Sequence, residues 1–436
     1  MQIDRRHTTL SNGIQVVTDH APHFQSVAIS VSFRIGSVHE PDEKSGISHL
    51  LEHLVFRGSE TRSGDDIQTA FGQLGGYLNA QTDEDSTTFK AITLTADLGE
   101  ALNLISEIVT NPRLDDADLA MEKQIIEQEN CRGCYNCSMR DSMFSASFPD
   151  QSIRNPVIGY EDTLEGLTRD DLVAFHRAAY VGRNLTVAIC GAIPHDEVVR
   201  LVEASFASLP EGTEAGFPDF HFEPGEMLLT SGVDRGTLRL VYPLTGLPLQ
   251  RQRATVFFHD ILGGHPKSRL MDELREKRGL VYGAWADEYD VARESMLMIE
   301  AAGEARRMPE IAQIMANTLR ETAETLTEEE LAMAKRRMHA GAHMSLDSNT
   351  GRVEEIRHQI SQHGKLVDWN ARYEGYMSLS VQDVRAAGQA LLDMAPTIIA
   401  AGPVRSVPKF SVIRDMLAGT VIQSSEKPKG IFNFAV

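Results

Sequence analysis

Short apolar runs alternate with longer stretches of polar and apolar residues, and the runs IQVVTDH from Ile14, SVAISVSFRIGS from Ser26 and TTFKAITLTA from Thr87 predict β-strands. Between and after these runs the apolar positions recur every three or four residues. That spacing predicts helices over Ser45–Arg57, Gly64–Leu74, Leu98–Val109 and Asp115–Asn130, each bounded by Gly, Pro or Asn. The pattern is α+β.

The pattern is also written twice. RLDDADLAMEKQ from Arg113 lines up with TLTEEELAMAKR from Thr325, with Leu119, Ala120, Met121 and Lys123 falling on Leu331, Ala332, Met333 and Lys335, an offset of 212. The same offset carries Leu167, Asp171 and Leu172 onto Leu379, Asp383 and Val384, where each set opens a helix leading into a short apolar strand, NLTVAICGAI from Asn184 or PTIIAAGPV from Pro396. A period this long describes two copies of one domain rather than a solenoid. The stretch Leu209–Glu226 is rich in Pro, Gly and acidic residues and has no sustained period. It divides the chain into residues 1–210, a linker 211–226 and residues 227–436.

Composition agrees with two domains and narrows the partners. A chain of 436 residues with 42% hydrophobic and 24% charged residues is too long for one typical domain. Sixty-two Asp and Glu against 42 Lys and Arg leave a net charge of −20, which disfavours nucleic acid and anionic membranes. No apolar run reaches the roughly 20 residues of a spanning helix, and MQIDRRHTTLSNGIQ lacks a signal peptide's apolar core. The expectation is a cytoplasmic protein. Four cysteines cannot make a dense disulfide framework.

The sharpest chemistry lies in SGISHLLEHLVFRG. His49 and His53, at i and i+4, project from one face of a helix one turn apart, the spacing at which two imidazoles share a tetrahedral zinc. Glu52 lies beside them. Zinc lowers the pKa of a bound water to about 7, and an adjacent carboxylate can accept its proton as the water attacks a peptide carbonyl. The order HxxEH inverts HExxH and is the inverzincin signature. Satisfied helix histidines are the plainer alternative, so the reading turns on a third ligand. Glu122 and Glu129 stand seven residues apart on the next acidic helix, and either reaches a metal at that spacing. The 212 register takes His49 to Ile261, Glu52 to Gly264, Glu122 to Ala334 and Glu129 to Gly341, and only His53 meets a histidine, His265. A polar set lost together from one copy points to a site confined to the other.

With these residues in hand the chain resembles the pitrilysin-like M16 metallopeptidases, in the two-domain subfamily related to the mitochondrial processing peptidase β subunit. HLLEHLVFRGSETRS matches the family's metal helix. GGYLNAQTDEDSTTF, FPDQSIRNPVIG and LTRDDLVAFH extend the likeness along nearly the whole chain. The resemblance implies a LuxS/MPP-like metallohydrolase fold in two tandem αβ domains, and one Zn2+ held by His49, His53 and Glu129. It makes Glu52 the general base and Glu122 an accessory glutamate. It also implies that Arg275 and Tyr282, in ILGGHPKSRLMDELREKRGLVYG, bind the substrate carbonyl and stabilise the oxyanion, and that Asn79 touches the substrate backbone on an edge strand. By charge pattern alone Arg275 reads as part of a solvated helix end, and Asn79 as a turn residue after two glycines.

The implied activity is a zinc endopeptidase acting on peptides or unfolded segments within a chamber closed by two facing halves. A two-domain chain supplies one half of such a clamshell, so the expected partner is a second copy, a homodimer. The alternatives are a heterodimer with an M16 paralogue and a noncatalytic partner subunit. The run CRGCYNC departs from the family pattern, and Cys131, Cys134 and Cys137 stand at a spacing that also suits thiolate metal binding, although a fourth ligand is not evident.

Overall fold

The four helices expected in the first half form as Ile47–Val55, Gly64–Gln73, Leu98–Thr110 and Asp116–Glu129 in a computed structural model. It describes residues 3–129, 135–230, 234–403 and 405–419. The strands are β1 (Arg5–Thr9), β2 (Gln15–His20), β3 (Ser26–Phe33), β4 (Tyr77–Thr82), β5 (Thr87–Leu94) and β6 (Leu185–Gly191), followed by β7 (Glu226–Thr230), β8 (Gly236–Pro243), β9 (Val281–Val291), β10 (Glu294–Gly303) and β11 (Thr397–Gly402).

They build two sheets. The first has the order β1-β2-β6-β3-β5-β4 and the second β7-β11-β8-β10-β9. Without β1 the two orders are the same, down to the single parallel pair, β2 with β6 and β7 with β11. Polar contacts repeat too. Lys123 Nζ donates to the carbonyls of Glu165 and Leu167 at 2.8 and 2.6 Å, and Lys335 Nζ to those of Met377 and Leu379 at 2.7 and 2.6 Å. Thr168 with Asp171 and Ser380 with Asp383 make the same capping box at the start of the following helix. The 212 register holds for all of these.

It slips at the metal helix. The corresponding helix of the second copy is Leu249–Gly263, and His265 lies beyond its C-cap Gly264, so it is no positional counterpart of His53. Matching the helix ends, Val55 with Gly263, brings His49, Glu52 and His53 onto Phe257, Asp260 and Ile261. Loops of different length between strand and helix shift the register by about one turn. With the helices matched, neither histidine has a histidine as its counterpart.

Each sheet is covered on one face by helices of its own half. The other faces are exchanged. Val353, Ile356 and Ile360, on the helix Asn349–His363, pack against Val17, Ala28, Ala188 and Cys190 of the first sheet. Met139, Met143 and Phe144, on the helix Tyr135–Ser147, pack with Val241, Met296, Ile399 and Ala401 of the second. The segment 206–225 has no helix or strand but is no free tether, because Phe217, Phe220 and Phe222 join this second interface. Arg352, 1% exposed, pairs with buried Asp19 at 2.8 Å across the exchange. Removing one partner of such a buried pair costs about 3–5 kcal/mol. Among the described residues no helix is long and apolar enough to cross a membrane.

Candidate metal centre

The helix Ile47–Val55 is set by its entry. Gly46 has φ +95°, and a Cβ there would lie 2.9 Å from Gly159 Cα and 2.8 Å from Leu164 Cδ1, so glycine is required. The carboxylate of buried Glu40 accepts from the Gly46 and Ser48 amides at 2.7 and 2.8 Å, satisfying two of the helix's free N–H groups. Burial pushes the Glu40 carboxyl up to about 7, against the pull of these amides. Ile47, Leu50, Leu51, Leu54 and Val55 anchor the other side of the helix in the first core. The apolar stripe leaves His49 and His53 together on the remaining face.

Their ring centroids are 4.6 Å apart at 72°. Glu129, on the helix Asp116–Glu129, brings Oε2 to 3.5 Å from His53 Nε2 and 4.0 Å from His49 Nε2. The ligand atoms of these three residues all lie within 4.8 Å of one another. Two donors on a tetrahedral zinc stand about 3.3 Å apart, so the set fits that ion with a small contraction. The second glutamate has a different place. Glu122 Oε2 accepts from His53 Nδ1 at 2.8 Å, while its Oε1 accepts from Arg57 Nε. A proton held on Nδ1 leaves Nε2 free to coordinate, the usual carboxylate support of a metal-bound histidine. His49 Nδ1 is buried without a partner, so packing alone holds that ring. Burial, reinforced by His53, pushes the His49 pKa down to about 4 and keeps the imidazole neutral, the form a metal needs.

Glu52 sits beside the ligands, buried, with Oε2 accepting from Thr82 Oγ1 at 2.5 Å. Burial raises its pKa, opposed by the Thr82 hydrogen bond. Glu52, His53, Phe56, Asn79, Glu122 and Glu129 are among the residues lining an open cleft of about 1280 Å³, solvent included. All the lining residues come from the first half. β4 pairs with β5 on one side, and among the described residues its other edge is free.

Arg275 and Tyr282 are not at this cleft. Arg275 lies in the wide helical turn Asp272–Glu276 and Tyr282 on edge strand β9, with the guanidinium carbon 5.6 Å from the ring centroid and Tyr282 85% exposed. The β9–β10 hairpin touches the first half at its other end, where Tyr289 Oη is 3.4 Å from Glu84 and the Ala292 amide 3.3 Å from Asp85 Oδ2. Tyr282 is seven residues back along β9 from Tyr289, about 24 Å of strand. Sequence reasoning missed Glu40, Arg57 and Thr82. Only Thr82 carried a signal, because the alternation Leu78, Ala80, Thr82 puts it on the strand face turned toward the helices. The side chains of Cys131, Cys134 and Cys137 lie outside the described residues. Cys190 is free and buried, and burial pushes its thiol up to about 12.

Comparison with known proteins agrees with this fold. Residues 15–159 match the family model of insulinase, peptidase family M16, and residues 166–338 that of the peptidase M16 inactive domain. An uncharacterized zinc protease of Rickettsia bellii is 27% identical over 397 residues, covering 90% of this chain and 96% of that one. Another, from Mycobacterium tuberculosis, is 29% identical over 407 residues, covering 91% and 93%. The crystal structure of a protease from Helicobacter pylori superposes with a TM-score of 0.84 at 22% identity, covering 92% of this chain and all of that one, a likeness of fold. Two copies of one αβ unit, an inverted histidine and glutamate helix in the first copy alone, and these matches make the chain a member of the M16 peptidase family.

Proposed function

We propose that the chain is a zinc-dependent endopeptidase that works as a homodimer, on the strength of one observation: His49, His53 and Glu129 converge with Glu52 beside them and Glu122 behind His53. Zinc bound there supplies a Lewis acid for the scissile carbonyl and lowers the pKa of its water to about 7. Glu52 takes the proton of the attacking water on a carboxylate oxygen and hands it to the departing amine. The free edge of β4 takes the peptide as an added strand, with Asn79 against its backbone. Chelation is expected to abolish cleavage of a quenched peptide, and Glu52→Gln to lower it about 100- to 10,000-fold while zinc stays bound. Chelator-insensitive hydrolysis would end this reading.

What the cleft lacks supports the dimer. Its lining comes from the first half, whereas the exposed Arg275 and Tyr282 stand on the second. A second copy facing the first supplies them in trans, two sites per dimer. A heterodimer with a paralogue, in which this chain contributes the zinc site or serves as a noncatalytic subunit, answers the same lack. Full activity from a monomer would exclude all of these assemblies.

A further inference from the structure

We infer that Thr82 is a positioning residue for Glu52: its hydroxyl holds one carboxylate oxygen so that the other is presented to the cleft. The inference rests on the peptidase reading for its kinetic consequence and on geometry for the contact. Thr82 and Glu52 are both buried, and the Oγ1 to Oε2 distance is 2.5 Å. Glu52 sits on the helix Ile47–Val55 and Thr82 at the end of β4, so the bond joins the helix carrying the histidines to the strand whose free edge faces the cleft. A general base needs one fixed oxygen within hydrogen-bond reach of the proton it removes. A carboxylate free to turn about its last bond does not provide that, and a single donor on Oε2 does.

The donor is itself held from several sides. Thr82 pairs with Thr87 of β5, and the Thr87 hydroxyl donates to the Ile35 carbonyl at 2.8 Å. The intervening turn closes through the Asp83 amide on the Ser86 carbonyl at 2.8 Å. Glu84, also buried, accepts from Arg140, while Asp85 accepts from the Ser361 hydroxyl at 2.7 Å on a helix of the second half. A side chain placed on such an anchored strand end carries its orientation into the site. β4 therefore has two tasks, with its backbone edge aligning the peptide and its inward Thr82 aligning the base. Because the Thr82 hydroxyl meets the base and not the peptide edge, the contact bears on turnover rather than on substrate capture.

The test compares Thr82→Val and Thr82→Ser with wild type in zinc-loaded full-length protein. Valine keeps the shape and removes the donor, and serine keeps the donor. Kinetics on a quenched peptide are expected to show kcat falling about 10- to 100-fold in Thr82→Val with KM within about twofold, and Thr82→Ser recovering most of the loss. A second measurement does not use activity. Thr82→Val is expected to lower Tm when Glu52 is present and to leave Tm unchanged in a Glu52→Ala background. Equal Tm shifts in both backgrounds, or a Tm coupling without any kcat loss, would overturn the inference. If wild-type cleavage is indifferent to chelation or to Glu52→Gln, the peptidase reading fails instead, and a missing Tm coupling still sinks the contact by itself.

Discussion

The two halves share a strand order, a lysine bridging two carbonyls and a capping box, yet differ where the edge strand meets the helix packed against it. In the first half that seam holds Glu52 on Thr82, with His49, His53 and Glu129 opening beside it. In the second it holds His259, whose Nδ1 is buried without a partner and whose Nε2 is 3.9 Å from Glu288 Oε1, while Asp260 is tied to Arg337 on the helix Glu328–Leu346. Glu122, which supports His53, is replaced by buried Ala334, and Glu129 by Gly341. The contacts that survived in both copies, the lysine on two carbonyls and the capping box, define where helices begin and how they are spaced. Those that diverged join the side chains of the metal site. The fold and the site were thus free to part company after duplication, because they rest on different residues.

The largest effect that would break this contrast is loss of metal. His49→Ala is expected to abolish stoichiometric zinc and peptide cleavage together, while His265→Ala, outside the second-half helix, leaves both unchanged. Zinc that survives the first substitution, measured by elemental analysis alongside a variant lacking Cys131, Cys134 and Cys137, would place the metal on the thiols. Next in size is the contribution of the second half to chemistry. Arg275→Ala is expected to cost about 100- to 1000-fold in kcat/KM. Mixing inactive Glu52→Gln with Arg275→Ala, dissociated and reassembled at equal amounts, should restore about a quarter of wild-type activity, because mixed dimers carry one intact composite site. No recovery would put the two halves of the site in one chain.

A smaller effect is expected at the support of His53. Glu122→Gln should weaken zinc binding about 10- to 100-fold in competition with a chromophoric chelator. The smallest lies in the second half. Burial, with Asp290 and Asp287 adding to it, pushes the Glu288 carboxyl up to about 8 from its ordinary 4.5. A carboxyl whose folded pKa is raised loses stability as pH climbs from 4.5 through 8, since the unfolded chain ionises before the folded one. Glu288→Gln should therefore raise Tm by more at pH 8 than at pH 5. Equal gains at the two values would mean that Glu288 is ionised in the fold.

Much of this was legible in the sequence because it is local or repeated. Helical spacing put His49 and His53 on one face, and the 212 register paired Lys123 with Lys335 and Thr168 with Ser380. The register failed at His265, where a loop of different length shifts one helix by a turn that no composition reveals. The partition of labour between Glu122 and Glu129 was not readable from their spacing, which serves either as a ligand. It depends on which carboxylate meets Nδ1 and which meets Nε2, a matter of how two helices cross. Glu40 was invisible for the same reason, and for Thr82 the alternation of its strand gave the face but not the partner, since both partners are fixed by packing between elements.

The exchange of helices between the halves sets an order of events for the growing polypeptide. The face of the first sheet formed by Val17, Ala28, Ala188 and Cys190 is finished only by residues 349–363 of 436. Until residues 349–363 have been made, the half that carries the metal ligands has an apolar surface without its cover. A ribosome releasing this protein therefore yields no finished metal-bearing half in advance of the other, and a break in the segment 206–225 would leave two fragments each missing a piece of its core.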